Sequence, residues 1–317
     1  MTCAAISAQP TQFNMQPRVL RRWLLAALVL GLMLSGCSFV RLSYEHFPRL
    51  AQWEIDRHLD LDAAQKALLA RHLDALHVWH QREQLLQVGA FLQQLESGAH
   101  EPVDANRVGA WRSQIAQAWA ALADRMAPAV AELGVSLRPE QLRKMRERFS
   151  RANAKFRDEY LQDDPQAVLR ARAERWIKRA KFFLGDLTPG QVQELADAAM
   201  RMTPSEAAWL AEREARQQRL LALLERLSVE KPASATAVEL SRQMLRGYWS
   251  LEGSAQKAAL ERDISASDAL AAKLLTRAQA GQRSHFSQML RAYRSDAEEL
   301  AGRAQRAVES GSQSPRT

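Results

Sequence analysis

The chain has 317 residues, with 44 Lys and Arg against 36 Asp and Glu, a net charge of +8, 47% hydrophobic residues and two cysteines. That length holds a sizeable core, while interspersed charges without a groove-reading motif argue against nucleic acid as a partner. No Gly-x-Ser-x-Gly elbow, P-loop or dinucleotide fingerprint occurs, so the residues specify no reaction and disfavour an enzyme.

Arg18, Arg21 and Arg22 precede an apolar run of about 12 residues, Trp23 to Leu34. A bilayer-crossing helix needs roughly 20, and a basic start before a short apolar run is the pattern of a secretory signal. Leu34-Ser35-Gly36-Cys37 resembles the lipobox of bacterial lipoproteins. That resemblance implies a signal peptide over 1–36, a lipid on Cys37, and cleavage just before it; an uncleaved anchor with an incidental cysteine is the alternative. Ser38, rather than Asp, implies transfer to the outer membrane, facing the periplasm. Met15 opens a more ordinary signal than Met1 and is the expected true start. Cleavage leaves Cys37 as the only cysteine, so no disulfide is expected, and the loss of three Arg lowers the charge to about +5. Anionic headgroups beside the anchor are the plainest use of that charge.

Phe39, Arg41, Tyr44, Phe47, Arg49, Trp53 and Arg57 then interleave rings and guanidinium groups. They read as an interfacial helix lying on headgroups, or as a helix whose Phe47, Leu50, Trp53 and Ile55 pack inward; packing is favoured. Further on, apolar residues recur at three- and four-residue spacing almost throughout, with no sustained alternation. The expected fold is all-α, an elongated bundle of long amphipathic helices. Breaks are expected at 96–105, at Gly134 and at 162–166. A helical domain over 37–227, a linker at 228–237, a C-terminal helical part over 238–308 and a disordered tail at 309–317 complete the layout.

The densest polar cluster is RHLDALHVWHQRE, residues 71–83. His77 and His80 share a helix face and, with Asp74 or Glu83, have the chemistry of a zinc or copper site. The His-Glu-x-x-His arrangement of hydrolytic zinc sites is absent, so a solvated or groove-lining face is the favoured reading. His285 would join the pair only if its helix docks there. Trp79, His80 and Arg82 are the candidate partner-binding residues, whereas Trp111, Trp119, Trp176, Trp209 and Trp249 sit at apolar periodic positions and read as core. The helix at 143–160 is strongly basic, through Arg143, Lys144, Arg146, Arg148, Arg151, Lys155 and Arg157, and reads as a solvated face or a surface for an acidic partner.

Helix starts repeat a pattern: Leu61-Asp62 to Gln65, Leu137-Arg138 to Gln141, Leu187-Thr188 to Gln191 and Leu275-Thr276 to Gln279. Asp62 or Thr188 caps, and the Gln returns a bond to the cap backbone. Arg138 is a poor cap, and the last copy reads equally as the interior of a longer helix. Leu-Thr-x-x-Gln resembles the signature of small periplasmic chaperones of the Spy and CpxP type, helical cradles for unfolded clients or a sensor domain. More broadly, GCSFVRLSYEHFPRLAQWEIDRHLDLDAAQ (36–65), WHQREQL (79–85), ERWIKRAKFFLGDLTPGQ (174–191) and WLAEREARQQRLLALL (209–224) resemble an uncharacterised family of proteobacterial lipoproteins, a domain of unknown function. Together these readings give a lipid-anchored envelope protein that binds periplasmic proteins without catalysis, and with no cofactor beyond the lipid on Cys37. A structural tether or assembly factor, or a metal-dependent hydrolase or sensor on His77 and His80, are the alternatives.

Overall fold

The computed structural model describes the backbone of residues 36–312 and side chains within 40–306. The expected signal peptide, the Met15 start, the Cys37 side chain and the final residues of the expected tail lie outside the described residues. The first helix, α1 (Gly36–Glu45), belongs to a separate compact unit that ends at Glu45.

The second unit begins at His46 and runs through α2 (Phe47–Leu59), α3 (Ala63–Trp79), a π-helical turn (His80–Gln84), α4 (Leu85–Gly98) and α5 (Ala105–Ser136). It continues through α6 (Pro139–Tyr160), α7 (Pro165–Leu184), α8 (Pro189–Arg201), α9 (Glu206–Glu230), α10 (Ser234–Gly247), α11 (Lys257–Thr276) and α12 (Ala280–Ser312). The fold is all-α, with no strand among the described residues. None of the described helices is long and apolar enough to cross a membrane. Between α9 and α10 the helical break is confined to 231–233, where Lys231 takes a left-handed backbone.

The repeated helix starts do more than cap. Asp62 accepts from the Gln65 backbone N–H at 3.0 Å, and Gln65 Oε1 accepts from the Asp62 N–H at 3.1 Å. Gln141 accepts from the Arg138 N–H at 3.0 Å; the Arg138 side chain has no acceptor to offer in return, and its backbone carbonyl takes the Gln141 N–H at 3.0 Å instead. The two glutamines then meet, each donating its amide to the other's Oε1 at 3.1 and 2.8 Å. Each also donates to the chain entering the other's helix, Gln65 to the Ser136 carbonyl at 2.8 Å and Gln141 to that of Asp60 at 3.0 Å. Gln191 and Gln282 form a second such pair at 2.9 and 2.8 Å, and Gln282 also donates to the Asp186 carbonyl at 2.7 Å. The fourth start is therefore shifted: α11 ends at Thr276, and Gln282, not Gln279, receives the backbone N–H, that of Gln279. Local spacing misplaces it because Leu275 to Gln279 copies the pattern in sequence without holding the cap.

Beneath each pair lies a core. Leu61, Leu69, Leu73, Leu137, Leu142 and Leu221 pack together below Gln65 and Gln141, while Leu184, Leu195, Leu274, Phe286 and Leu290, with Leu187 against them, pack near Gln191 and Gln282. Gln141→Ala should cost about 2 kcal/mol in urea unfolding, since the buried Gln65 amide loses a partner and the helix loses a cap bond. The Gln65→Ala/Gln141→Ala pair should cost clearly less than the two single losses added together.

Two expectations are corrected by the packing. Gly134 does not end a helix; it lies inside α5, where an added Cβ would come within 2.7 Å of Leu227 Cδ1, so it serves the close approach of α5 and α9. On α2, Ala51, Ile55 and Leu59 reach the core, while Leu50 is 51% and Trp53 59% exposed, and Phe47 is exposed too. The Arg57 guanidinium lies 4.7 Å from the Trp53 ring centroid, holding that ring at the surface.

Candidate ligand-binding cleft

The faces of α6, α7, α9 and α11, with the 248–249 turn, enclose a cavity of about 710 Å³. Helical spacing builds two of its walls: Arg172, Arg175, Trp176 and Arg179 form an i, i+3, i+4, i+7 face of α7, and Trp209, Glu212, Arg213 and Arg216 repeat that spacing on α9. Phe156 and Tyr160, stacked at 4.4 Å, close the α6 side.

Six arginines and four carboxylates line this cleft. Arg172 (3% exposed) and Glu206 (8%) form a buried ion pair, in which Arg172 Nε donates to Glu206 Oε1 at 2.9 Å and Nη2 to Oε2. Arg175 adds a contact to Glu206 at 3.2 Å and lies 4.7 Å from the Tyr160 ring. Glu212, only 1% exposed, accepts from Arg216 at 2.7 Å, Arg219 at 3.1 Å and the Ser254 hydroxyl at 2.5 Å. Burial pushes both carboxyls up, but Arg172 acting on Glu206, and Ser254 with Arg216 on Glu212, overcome it and hold both below the usual carboxylate range. Arg112 donates to Asp268 at 2.7 Å, and Asp263 accepts the Trp209 indole N–H at 2.9 Å.

Two cleft cations are left over. Among the described residues, neither Arg179 nor Arg213 meets a carboxylate within ion-pair distance. Arg213 is aimed by a neutral network: its Nε donates to Asn153 Oδ1 at 2.9 Å, and buried Asn153 and Gln217 exchange amide bonds at 2.6 and 3.2 Å. Its guanidinium also lies 5.9 Å from the Phe156 ring. One turn on along α9, Arg216 lies 5.3 Å from the Trp249 ring, which meets Trp119 edge-on at 5.8 Å. The arrangement offers an anion two charged forks between aromatic faces; it holds no recognisable nucleophile–base pair.

The sequence-derived candidates lie elsewhere. Trp79 is buried, donates its indole N–H to Glu83 at 2.7 Å, and carries the Arg125 guanidinium 5.0 Å from its ring. His80 is half-buried and opens the π-helical turn, while Arg82 is exposed on it. None of the three lines the cleft. Burial lowers the pKa of His77 and of His80, so both imidazoles are mainly neutral at pH 7. His285 does not join them: its Nε2 lies 3.3 Å from the Phe182 carbonyl at the end of α7. Among the described residues no group of three or more His, Cys, Asp or Glu is placed to hold a metal ion. On the basic α6 helix, Arg143, Lys144, Arg146 and Arg157 each pair with a carboxylate.

Trp176, Trp209 and Trp249, read from the sequence as core, line the cleft; Trp176 packs on the Leu184–Leu195 core as well, whereas Trp249 is exposed. For Trp176 and Trp209 the available signal was the company they keep, Trp with Arg on one helical face rather than Trp with Leu.

No curated protein and no solved structure matches the chain. A family profile, described as a family of unknown function, matches residues 57–244, more than half the chain. The match takes in the α6, α7 and α9 walls of the cleft and stops short of Tyr248, Trp249 and the α11 wall. It starts later than the resemblance seen along the sequence, which opens at residue 36. The chain belongs to this family of unknown function, DUF6279.

Proposed function

We propose that the protein is a lipid-anchored, non-enzymatic binding protein of the bacterial outer membrane, which holds an acidic segment of a periplasmic protein in the arginine–aromatic cleft. The observation that carries this reading is the pair Arg179 and Arg213, unmatched by carboxylate in a cleft where Arg112, Arg172, Arg175 and Arg216 are all matched. Charge-assisted bonds from such forks favour carboxylates, and the flanking rings favour apolar neighbours in the same segment. The lipobox at Leu34–Cys37 supports the anchor. Exposed Phe47, Leu50 and Trp53, with Arg49 and Arg57 nearby, support an interfacial helix resting on headgroups close to that anchor. The Leu187-Thr188 to Gln191 start supports likeness to the Spy and CpxP chaperones, with many clients; a single stoichiometric partner would make the protein an assembly factor instead.

The π-helical turn favours a second reading, in which His80 and Arg82 contact the partner, because such turns are frequent at functional sites. The test is photocrosslinking in cells from a probe at Ser267, an exposed cleft residue. Capture of periplasmic protein is expected, reduced at least tenfold by Arg179→Glu with Arg213→Glu. Undiminished capture in that double variant would reject the cleft.

A further inference from the structure

Beside the cleft lies a second cavity of about 370 Å³, within the range of small-molecule sites. Its walls come from α4, α5, α7, α8, α11 and α12, and all but three of its lining residues are apolar. The exceptions are Arg179, Ser267 and Asp268, and these, with Trp176, also line the arginine–aromatic cleft, so the two cavities share a wall. Asp268 is already matched by Arg112 at 2.7 Å. The one uncompensated charge on the apolar cavity is therefore Arg179, which is exposed and has no ion pair among the described residues.

We propose that this cavity binds a single-chain anionic amphiphile, its hydrocarbon chain among Trp111, Leu195, Leu270, Leu274 and Phe286 and its acidic head on Arg179. A sugar or a base would bury hydroxyls and amides against walls that offer them almost no partners. A hydrocarbon chain has no such requirement, and its transfer from water drives entry. A guanidinium at the rim takes a carboxylate or phosphate head in two parallel bonds. Arg179 is common to this proposal and the protein-partner reading, whereas Ala271 lines only the apolar cavity, so its substitution tests this proposal alone.

The test uses the full chain carrying Cys37→Ser, titrated with dodecyl phosphate below its micelle concentration. Calorimetry reports stoichiometry, and the change in total tryptophan fluorescence, to which Trp111 and Trp176 in the cavity wall contribute, reports occupancy. One molecule per chain is expected, with affinity lowered about tenfold by Arg179→Gln. Ala271→Trp, which fills the cavity, should abolish binding while circular dichroism stays helical; Ala180→Phe serves the same purpose if that variant fails to fold. Inorganic phosphate alone, and uncharged dodecyl maltoside, should each bind at least tenfold more weakly than dodecyl phosphate. Equal binding of phosphate would show that the apolar cavity contributes nothing, and equal binding of the maltoside that Arg179 reads no charge. Either result, absence of binding, or an unaltered Arg179→Gln variant overturns the proposal.

Discussion

Replacing Glu206 by Gln should destabilise the protein by about 3–5 kcal/mol at pH 7, because Arg172 is then left buried without its counter-charge. Gln keeps the shape and one acceptor, so the loss reports charge rather than packing. The effect should depend on pH with a definite sign. Glu206 has a folded pKa held below its ordinary value of 4.5, so its contribution is fully present above pH 4.5 and lost as pH falls through the folded value. Urea unfolding should therefore show a large gap between wild type and Glu206→Gln at pH 7, narrowing under acid. Arg172→Met with Glu206→Leu should recover most of the stability, since buried ion pairs contribute little net over apolar replacements. A gap that stays constant down to pH 3 would mean that the pair is not what Glu206 contributes.

Leu227→Ala should cost about 3–4 kcal/mol, near the middle of the range for fully buried leucines. Leu227 is 0% exposed and packs with Ala131, Leu223 and Ala237 where α5, α9 and α10 meet. Gly134 already brings the α5 backbone close to it, so the surrounding small residues have little with which to fill the void. A loss under 1.5 kcal/mol in urea unfolding would mean that the contact collapses freely and that this junction is loosely packed.

The helices were legible because apolar spacing and cap chemistry are local. Asp62, Thr188 and their glutamines fix where α3 and α8 begin, whatever packs on them. What Gln65 does next was not legible, since its partner Gln141 lies 76 residues on. The cleft was hidden for the same reason and one more. Arg172 and Arg216 occupy helix positions that become buried only when α7 meets Glu206 and when the 248–249 turn covers α9. In isolation those charges read as solvated faces, and Trp176 and Trp209 between them read as core. The segment 71–83 drew attention because histidine is chemically conspicuous, yet its Trp79 is held inside by Glu83 and Arg125. On α2 the reverse occurred: Phe47, Leu50 and Trp53 have core-like spacing but stay exposed, Phe47 meeting the edge of α3 at His77.

We propose that ligand recognition sits in the cleft around Arg179 and Arg213. Its most direct measurement compares crosslinking yield from a probe at Ser267 with that from a probe at Arg82, in the same cells and at matched expression. The same captured protein should be at least several-fold more abundant from position 267. A higher yield from position 82 would contradict it and move the binding surface to the π-helical turn.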